Sequence, residues 1–208
     1  MLSVYDFRIA PESSEVLWEA DFFGDWQKDW EVSRGEWHAE NGILTGRYPE
    51  NGGALVYSNR QFPGDVMLDF WGRLLPPCAN DLNFTFRARG WDREKDDADR
   101  AYIAGVNGWW MGRTGIEHYP ECSPQALTSA FSAESGREYH IQTGIVGDRC
   151  FLAVDGSVIL ELCDPAPIDE PDCNRVGLGV YASQAAFRDF RVLRPKVERL
   201  SVEYHSTF

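Results

Sequence analysis

No stretch of the 208-residue chain approaches the roughly 18 consecutive apolar residues that a membrane-spanning helix needs. The first sixteen residues, MLSVYDFRIAPESSEV, lack the basic n-region and apolar h-region of a secretory leader, which predicts a soluble, cytoplasmic protein. Positive charge is scarce: 20 Lys and Arg stand against 33 Asp and Glu, a net charge of -13 that repels phosphate backbones and anionic lipid surfaces. Nucleic acid and membrane are therefore not expected partners. The five cysteines, Cys78, Cys122, Cys150, Cys163 and Cys173, are odd in number and contain no C-x-x-C pair, as expected of reduced thiols. The four histidines, His38, His118, His140 and His205, are isolated. No metal site and no cofactor are predicted from such spacing, with a divalent cation left open. Internal repeats, low-complexity tracts and any long helical period are also missing.

What is present is a succession of short runs with period-2 alternation, among them LNFTFRARG, YIAGVNGWW, EYHIQTGIV and CFLAVDGSVILEL, set between turn signals. Many strands at this spacing predict an all-β fold, a two-sheet antiparallel jelly-roll sandwich. Asn41-Gly42 and Asp155-Gly156 each sit between alternating runs and predict tight hairpin turns requiring positive φ, with Gly147-Asp148 as a third. Residues 1–195 read as a single domain that ends at Pro195, and 196–208 as an edge strand or tail.

Alternation also assigns faces, because successive side chains of a strand point to opposite sides. Leu82, Phe84, Phe86 and Ala88 point inward, leaving Asn83, Thr85, Arg87 and Arg89 outward. In EYHIQTGIV the inward set is Tyr139, Ile141, Thr143 and Ile145, so His140 and Gln142 face out. In YIAGVNGWW the inward set is Ala104, Val106 and Trp110, which turns Gly105, Asn107 and Trp109 outward. If Ile116 is core, Glu117 and Tyr119 share the outward side with Trp109, and His118 does not.

Several of these residues suit a sugar ligand. A saccharide offers an apolar C–H face for stacking and a hydroxyl rim for hydrogen bonds. Trp109 with Asn107 is the leading binding candidate, with Gly105 and Gly108 leaving room for a ligand; the other reading packs Trp109 under a loop. Trp91 is a second platform or a cap on the sandwich edge, and His140 and Gln142 are sugar contacts or simply solvated. Arg87, Arg89 and Arg113 could hold a uronate carboxylate or stabilise an enolate, as readily as they could form surface ion pairs. Glu117 and His118 are the candidate general acid/base groups, His118 alternatively a hydrogen-bonded structural histidine. The run DREKDDAD starts like a calcium loop but carries Asp97 where such a loop needs glycine and Ile103 where it needs glutamate, so it reads as a solvated loop.

The order WEVSRGEWHAENGILTG followed by GGALVYSNRQFPGDVMLDF resembles the opening of a concanavalin A-like, laminin-G-like sandwich. The later EYHIQTGIVGDRCFLAVDGSVILEL and RVGLGVYASQAAFRDFRVLRP are similar to the closing strands of the bacterial 3-keto-disaccharide hydrolase domain and its small cytoplasmic relatives from polysaccharide-utilisation operons. The resemblance covers about residues 16–195 and rests on turns and core strands. It implies carbohydrate chemistry on the concave sheet: cleavage, by hydrolysis or elimination, of a small glycoside, 3-keto forms included, or non-catalytic lectin-like binding. The E-x-D-x-E strand of the related endoglucanases is absent, which disfavours a two-carboxylate retaining mechanism on one strand. A third use of the aromatic face is assembly of a homo-oligomer.

Overall fold

The computed structural model describes residues 1–110 and 112–200, save the side chain of Pro124. Position 111 and residues 201–208, with His205, lie outside the described residues. Short strands open the chain: β1 (Leu2–Val4), β2 (Phe7–Ile9), β3 (Glu15–Glu19), β4 (Trp30–Val32) and β5 (Glu36–Glu40). Then come β6 (Ile43–Ser58), β7 (Val66–Leu74), β8 (Leu82–Ala88), β9 (Trp91–Asp92), β10 (Asp97–Ala98), β11 (Ala101–Trp109) and β12 (Arg113–Tyr119). The closing set is β13 (Ser123–Thr128), β14 (Tyr139–Val146), β15 (Arg149–Val154), β16 (Ser157–Cys163), β17 (Arg175–Arg194) and β18 (Val197–Arg199).

Two antiparallel sheets arise because β6 and β17 are long enough to serve in both. The first sheet runs β13-β12-β11-β8, then the first half of β17, the second half of β6, and β4. The second runs β16-β15-β14-β7, then the second half of β17, flanked by β3 and by the first half of β6 with β5. The change of sheet falls at Ala182, which has φ 47°, where the pairing of β17 with β6 shifts register between Tyr181 and Ser183. This is the all-β jelly-roll sandwich that the alternation predicts. The predicted hairpins are present as well: Asn41 (φ 52°) with Gly42 (79°) joins β5 to β6, and Asp155 (49°) with Gly156 (79°) joins β15 to β16. Gly147 (59°) turns β14 into β15.

Between the sheets lies an aromatic core that includes Phe70, Phe84, Phe86, Phe187 and Phe190, all fully buried. Each such side chain contributes about 1.5–3 kcal/mol through removal of its apolar surface from water. A second cluster, Met67, Phe151, Ala153 and Leu193, lies on the outer face of the second sheet and is roofed by Leu2, Val4, Phe7 and Ile9. Those roofing residues belong to a small sheet, β1-β2-β18, in which Val197–Arg199 pairs with β2. The third cluster, Leu55, Tyr57, Ala88, Ala98, Ala101 and Ile103, is on the outer face of the first sheet.

Alternation fails at two positions, both in the left-handed region. Arg87 has φ 44°, and the pairing of β8 with β17 is irregular beside it, so one residue is slipped. Arg87 therefore turns into the interior, only 9% exposed and donating to the Ile168 carbonyl, while Ala88 flips from its expected inward side to the outer face. Asn107 has φ 60°, a conformation asparagine tolerates better than most residues. Beyond it, β11 ends at Trp109 and the chain turns through Gly112 (φ 78°), which leaves Trp110 at a hairpin tip, 63% exposed instead of in the core.

Candidate functional site

A cleft of about 430 Å³ opens on the outer face of the first sheet. Its floor comes from β8, β11, β12, β6 and β17, and the β9–β10 hairpin rises as a wall carrying Trp91, Asp96, Asp97 and Ala98. The predicted solvated loop is thus a structured hairpin, held in part by the Asp92 carboxylate accepting from the backbone N–H groups of Glu94 and Lys95. Arg34 anchors the wall from outside the sheet: its guanidinium pairs with Asp96 and stacks on Trp91 at 4.8 Å, while the Trp91 indole donates to Asp96 at 3.3 Å.

Trp109 forms the opposite side. Its ring lies over Gly115, where a Cβ atom would come within 2.9 Å of the indole, and its N–H donates to Glu117 Oε2 at 2.8 Å. Tyr119, two residues on and so on the same face as Glu117, donates its hydroxyl to Asp97 Oδ1 at 2.8 Å and joins the two walls. Tyr181, 41% exposed, closes the side nearest β6 and donates to Asn51. Aromatic surface therefore faces the cleft from four strands, over an apolar floor that includes Leu55 and Ile103.

Burial acts on two carboxyl groups of the lining. Glu117 is half-buried, and burial raises its pKa, with the Trp109 N–H opposing the shift. Asp81, which immediately precedes β8, is 5% exposed and accepts from Asn83 Nδ2 at 3.1 Å through Oδ2. Its Oδ1 has no hydrogen-bond partner among the described residues. Burial pushes Asp81 up to about 7, Asn83 works against that, and the charge of Glu117 adds to it. Gly108 makes the position available, since a Cβ there would stand 2.3 Å from Asp81 Oδ1. The spaces beside Gly105 and Gly108, expected to admit a ligand, are thus occupied by Asn83 and Asp81.

The predicted site residues separate into groups. Trp109, Trp91 and Glu117 meet in the cleft. Asn107, expected to face out, is 5% exposed; its side-chain amide donates to the carbonyls of Ala79 and Ala133 and accepts from Ala133 N, tying two loops together. His118 faces the interior, its Nε2 2.6 Å from Asp164 Oδ2, which also accepts from the Tyr102 hydroxyl. Asp164 is held below the usual carboxylate range by these donors, against the cost of its burial. Arg113 is exposed, across the hairpin from Trp109 and outside the cleft lining. Arg87 is interior, as described, and Arg89 pairs with Asp172 at 2.7 Å and Asp99 at 3.4 Å, away from the cleft.

His140 and Gln142 do face outward, but on the second sheet, where both meet Asp69 at 3.1 and 2.7 Å and Arg191 adds a third contact at 3.0 Å. His140 also stacks on Trp71 at 5.0 Å. Asp69 is 3% exposed; these bonds hold its carboxyl down at about 2 in spite of burial. The three strands whose outward groups were candidates thus do not share one face: β14 belongs to the other sheet.

Asp81, Asn83, Tyr181 and Arg34 were not singled out by the sequence. For Asp81 a signal existed, because with Leu82 and Phe84 in the core, period 2 puts Asp81 and Asn83 together on the outer face.

No protein-family model and no curated protein matches the chain. Among solved structures, the chain is similar to a Bacillus subtilis protein of unknown function with a galectin-like fold, at 12% identity over 91% of this chain and 98% of that one, with a TM-score of 0.67. It is similar to the carbohydrate-binding module CBM66 of Bacillus subtilis at 18% identity, over 79% and 95% of the two chains, TM-score 0.62. The exoplasmic/lumenal domain of VIP36 in its Ca2+/Man3GlcNAc-bound form aligns at 9% identity over 96% and 93%, TM-score 0.60. At these identities the likeness establishes the fold, a concanavalin A-like, galectin-like sandwich.

Proposed function

We propose that the chain is a carbohydrate-active protein that takes a small saccharide into the cleft between Trp91 and Trp109 and cleaves it with Glu117 as the base. The observation that carries this reading is the Trp109–Glu117 pair: an indole packed against Gly115 beside a half-buried carboxylate that the indole N–H orients. A pyranose stacked on that indole presents its C–H bonds to the ring and its edge to Glu117 and Asn83. Support also comes from fold-mates: one is a carbohydrate-binding module and another is a domain bound to Man3GlcNAc. A glycoside oxidised to a ketone at C3 has an acidified C2–H bond, and a carboxylate such as Glu117 could remove that proton. No cofactor is invoked, and the cytoplasm is the proposed compartment.

Binding without cleavage is the second reading, favoured by the aromatic lining itself. Both are tested by incubating the protein with methyl and 4-nitrophenyl glucosides and galactosides and their 3-keto derivatives, with and without chelator, and following products by mass spectrometry. Product from the wild type that disappears in Glu117→Gln, with binding retained, is the expected result. Saturable binding without product leaves the lectin-like reading, and neither binding nor product overturns the assignment of the cleft.

A further inference from the structure

Removal of a C2 proton by Glu117 makes only half of a cleavage, because the departing glycosidic oxygen of an unactivated sugar needs a proton as its bond to C1 breaks. Building on the cleavage reading, we propose that Asp81 is the proton donor of this site, its carboxyl turning from Gly108 so that Oδ1–H reaches the glycosidic oxygen of the bound saccharide. The first observation is burial: Asp81 is 5% exposed yet lines the cleft. The second is that its two oxygens are treated differently. Oδ2 accepts from Asn83, whereas Oδ1 is buried with no partner among the described residues. A buried polar atom left unsatisfied is costly, and a ligand atom that completes it recovers that cost. The third is the setting. No ion pair is made by Asp81 among the described residues, and the charge that bears on it is the carboxylate of Glu117 on β12.

Both circumstances favour the protonated acid, since burial penalises the charged form and a like charge penalises it again. The position of the titration, about 7, agrees with that geometry. The other ionisable groups lining the cleft are Arg34, Asp96, Asp97, Tyr119, Cys122 and Tyr181. Arg34 is engaged by Asp96, and Asp97 accepts from Tyr119, so among the described residues the lining holds no free cation to ionise Asp81. Two carboxyls with different environments, one kept protonated and one free to accept, are the arrangement that divides acid from base work.

The step balances as follows. Glu117 takes the C2 proton, and the bonding pair becomes a C1–C2 double bond conjugated with the C3 ketone. The C1–O bond breaks toward oxygen, which takes the proton of Asp81. The aglycone leaves as an alcohol and the sugar as an unsaturated ketone. Asp81 is left as carboxylate and Glu117 as acid, and a proton passes between them through solvent before the next turnover.

Asp81→Asn tests this. Asparagine keeps the acceptor for Asn83 and the side-chain volume, but it cannot give up a proton. The readout is turnover of methyl and 4-nitrophenyl 3-keto-glucosides, the second of which leaves without protonation. The expected result is a loss of at least about 100-fold on the methyl glycoside, with the 4-nitrophenyl glycoside cleaved within a few fold of wild type. The wild-type rate should fall above about pH 7 on the methyl glycoside and not on the 4-nitrophenyl glycoside. Equal losses on both substrates, or no loss on either, in a variant that stays folded at the assay temperature would overturn the role of Asp81 and leave the cleavage reading standing. Absence of turnover by the wild type on either substrate would overturn both.

Discussion

Trp109 and Glu117 are eight residues apart in sequence and 2.8 Å apart in space, joined across the β11–β12 hairpin by an indole N–H to a carboxylate oxygen. The bond gives Trp109 two separable contributions. Trp109→Phe keeps an aromatic face and removes the donor, so it should weaken saccharide binding only a few fold while raising the pKa of Glu117 further. Trp109→Ala removes the face as well and should cost about 1–2 kcal/mol in affinity, or roughly 10-fold. Titration calorimetry separates the two variants; equal losses would mean that the ring itself does not touch the ligand.

The Asp81 carboxyl also has a cost in stability with a definite sign. Its folded-state pKa of about 7 lies above the value of 3.8 for a free aspartate. Between those values the folded chain holds a proton that the unfolded chain has released, so this group's contribution to stability falls as pH rises from about 4 to about 7. Full ionisation at pH 8 costs up to about 4 kcal/mol. Asp81→Asn should therefore raise the thermal midpoint at pH 8 and leave it nearly unchanged at pH 4, as measured by calorimetry at both pH values.

Asp69 on the other sheet has the opposite sign. Its pKa of about 2 lies below 3.8, so its contribution is complete above pH 4 and is lost as pH falls toward 2. Asp69→Asn should remove about 2 kcal/mol at neutral pH and flatten the acid limb of the stability profile. Urea titrations at pH 7 and pH 2 should show a large difference between wild type and variant at the first pH and a small one at the second, with about half of it left near pH 3.

Asp164 gathers His118 and the Tyr102 hydroxyl inside the sandwich. Asp164→Ala leaves both without their acceptor in a buried setting and should destabilise by about 2–4 kcal/mol. Saccharide affinity, measured well below the lowered midpoint, should stay within about twofold, because the triad and the cleft are on opposite faces of the first sheet. A large loss of affinity with little loss of stability would instead assign His118 to the ligand.

The residues that could be read correctly are those governed by local rules. Asn41-Gly42 and Asp155-Gly156 adopt the left-handed conformations that their hairpins require, and Ile141 and Ile145 face the core as alternation demands. The conditional placement of Glu117 and His118 on opposite faces holds for the same reason, with Ile116 fully buried. Arg87 and Asn107 were misplaced because a left-handed residue turns its own side chain to the other face, and non-glycine residues seldom announce that conformation. Trp110 fell with them, as the end of β11 could not be located to one residue. Nor could His140 and Gln142 be separated from Trp109, because membership of a sheet depends on where β17 crosses between layers, a non-local event. Asp81 escaped notice for a different reason: its importance lies in burial and in one unpartnered oxygen, neither of which is visible in a run of letters.

The passage of β6 and β17 through both sheets has a consequence for how the molecule comes apart. Tyr181, at the cleft, and Arg191, at the Asp69 cluster, are carried on one continuous strand. Neither layer can open while the other stays closed without breaking the ladder that β17 makes with β6 on both sides of Ala182. Amides along β17 in the two layers should therefore exchange with solvent through the same global event and at the same free energy, whereas the three-residue strands β1, β2 and β18 fray independently. A saccharide held at Tyr181 would then slow exchange at Arg191, on the far side of the protein, with no contact there at all.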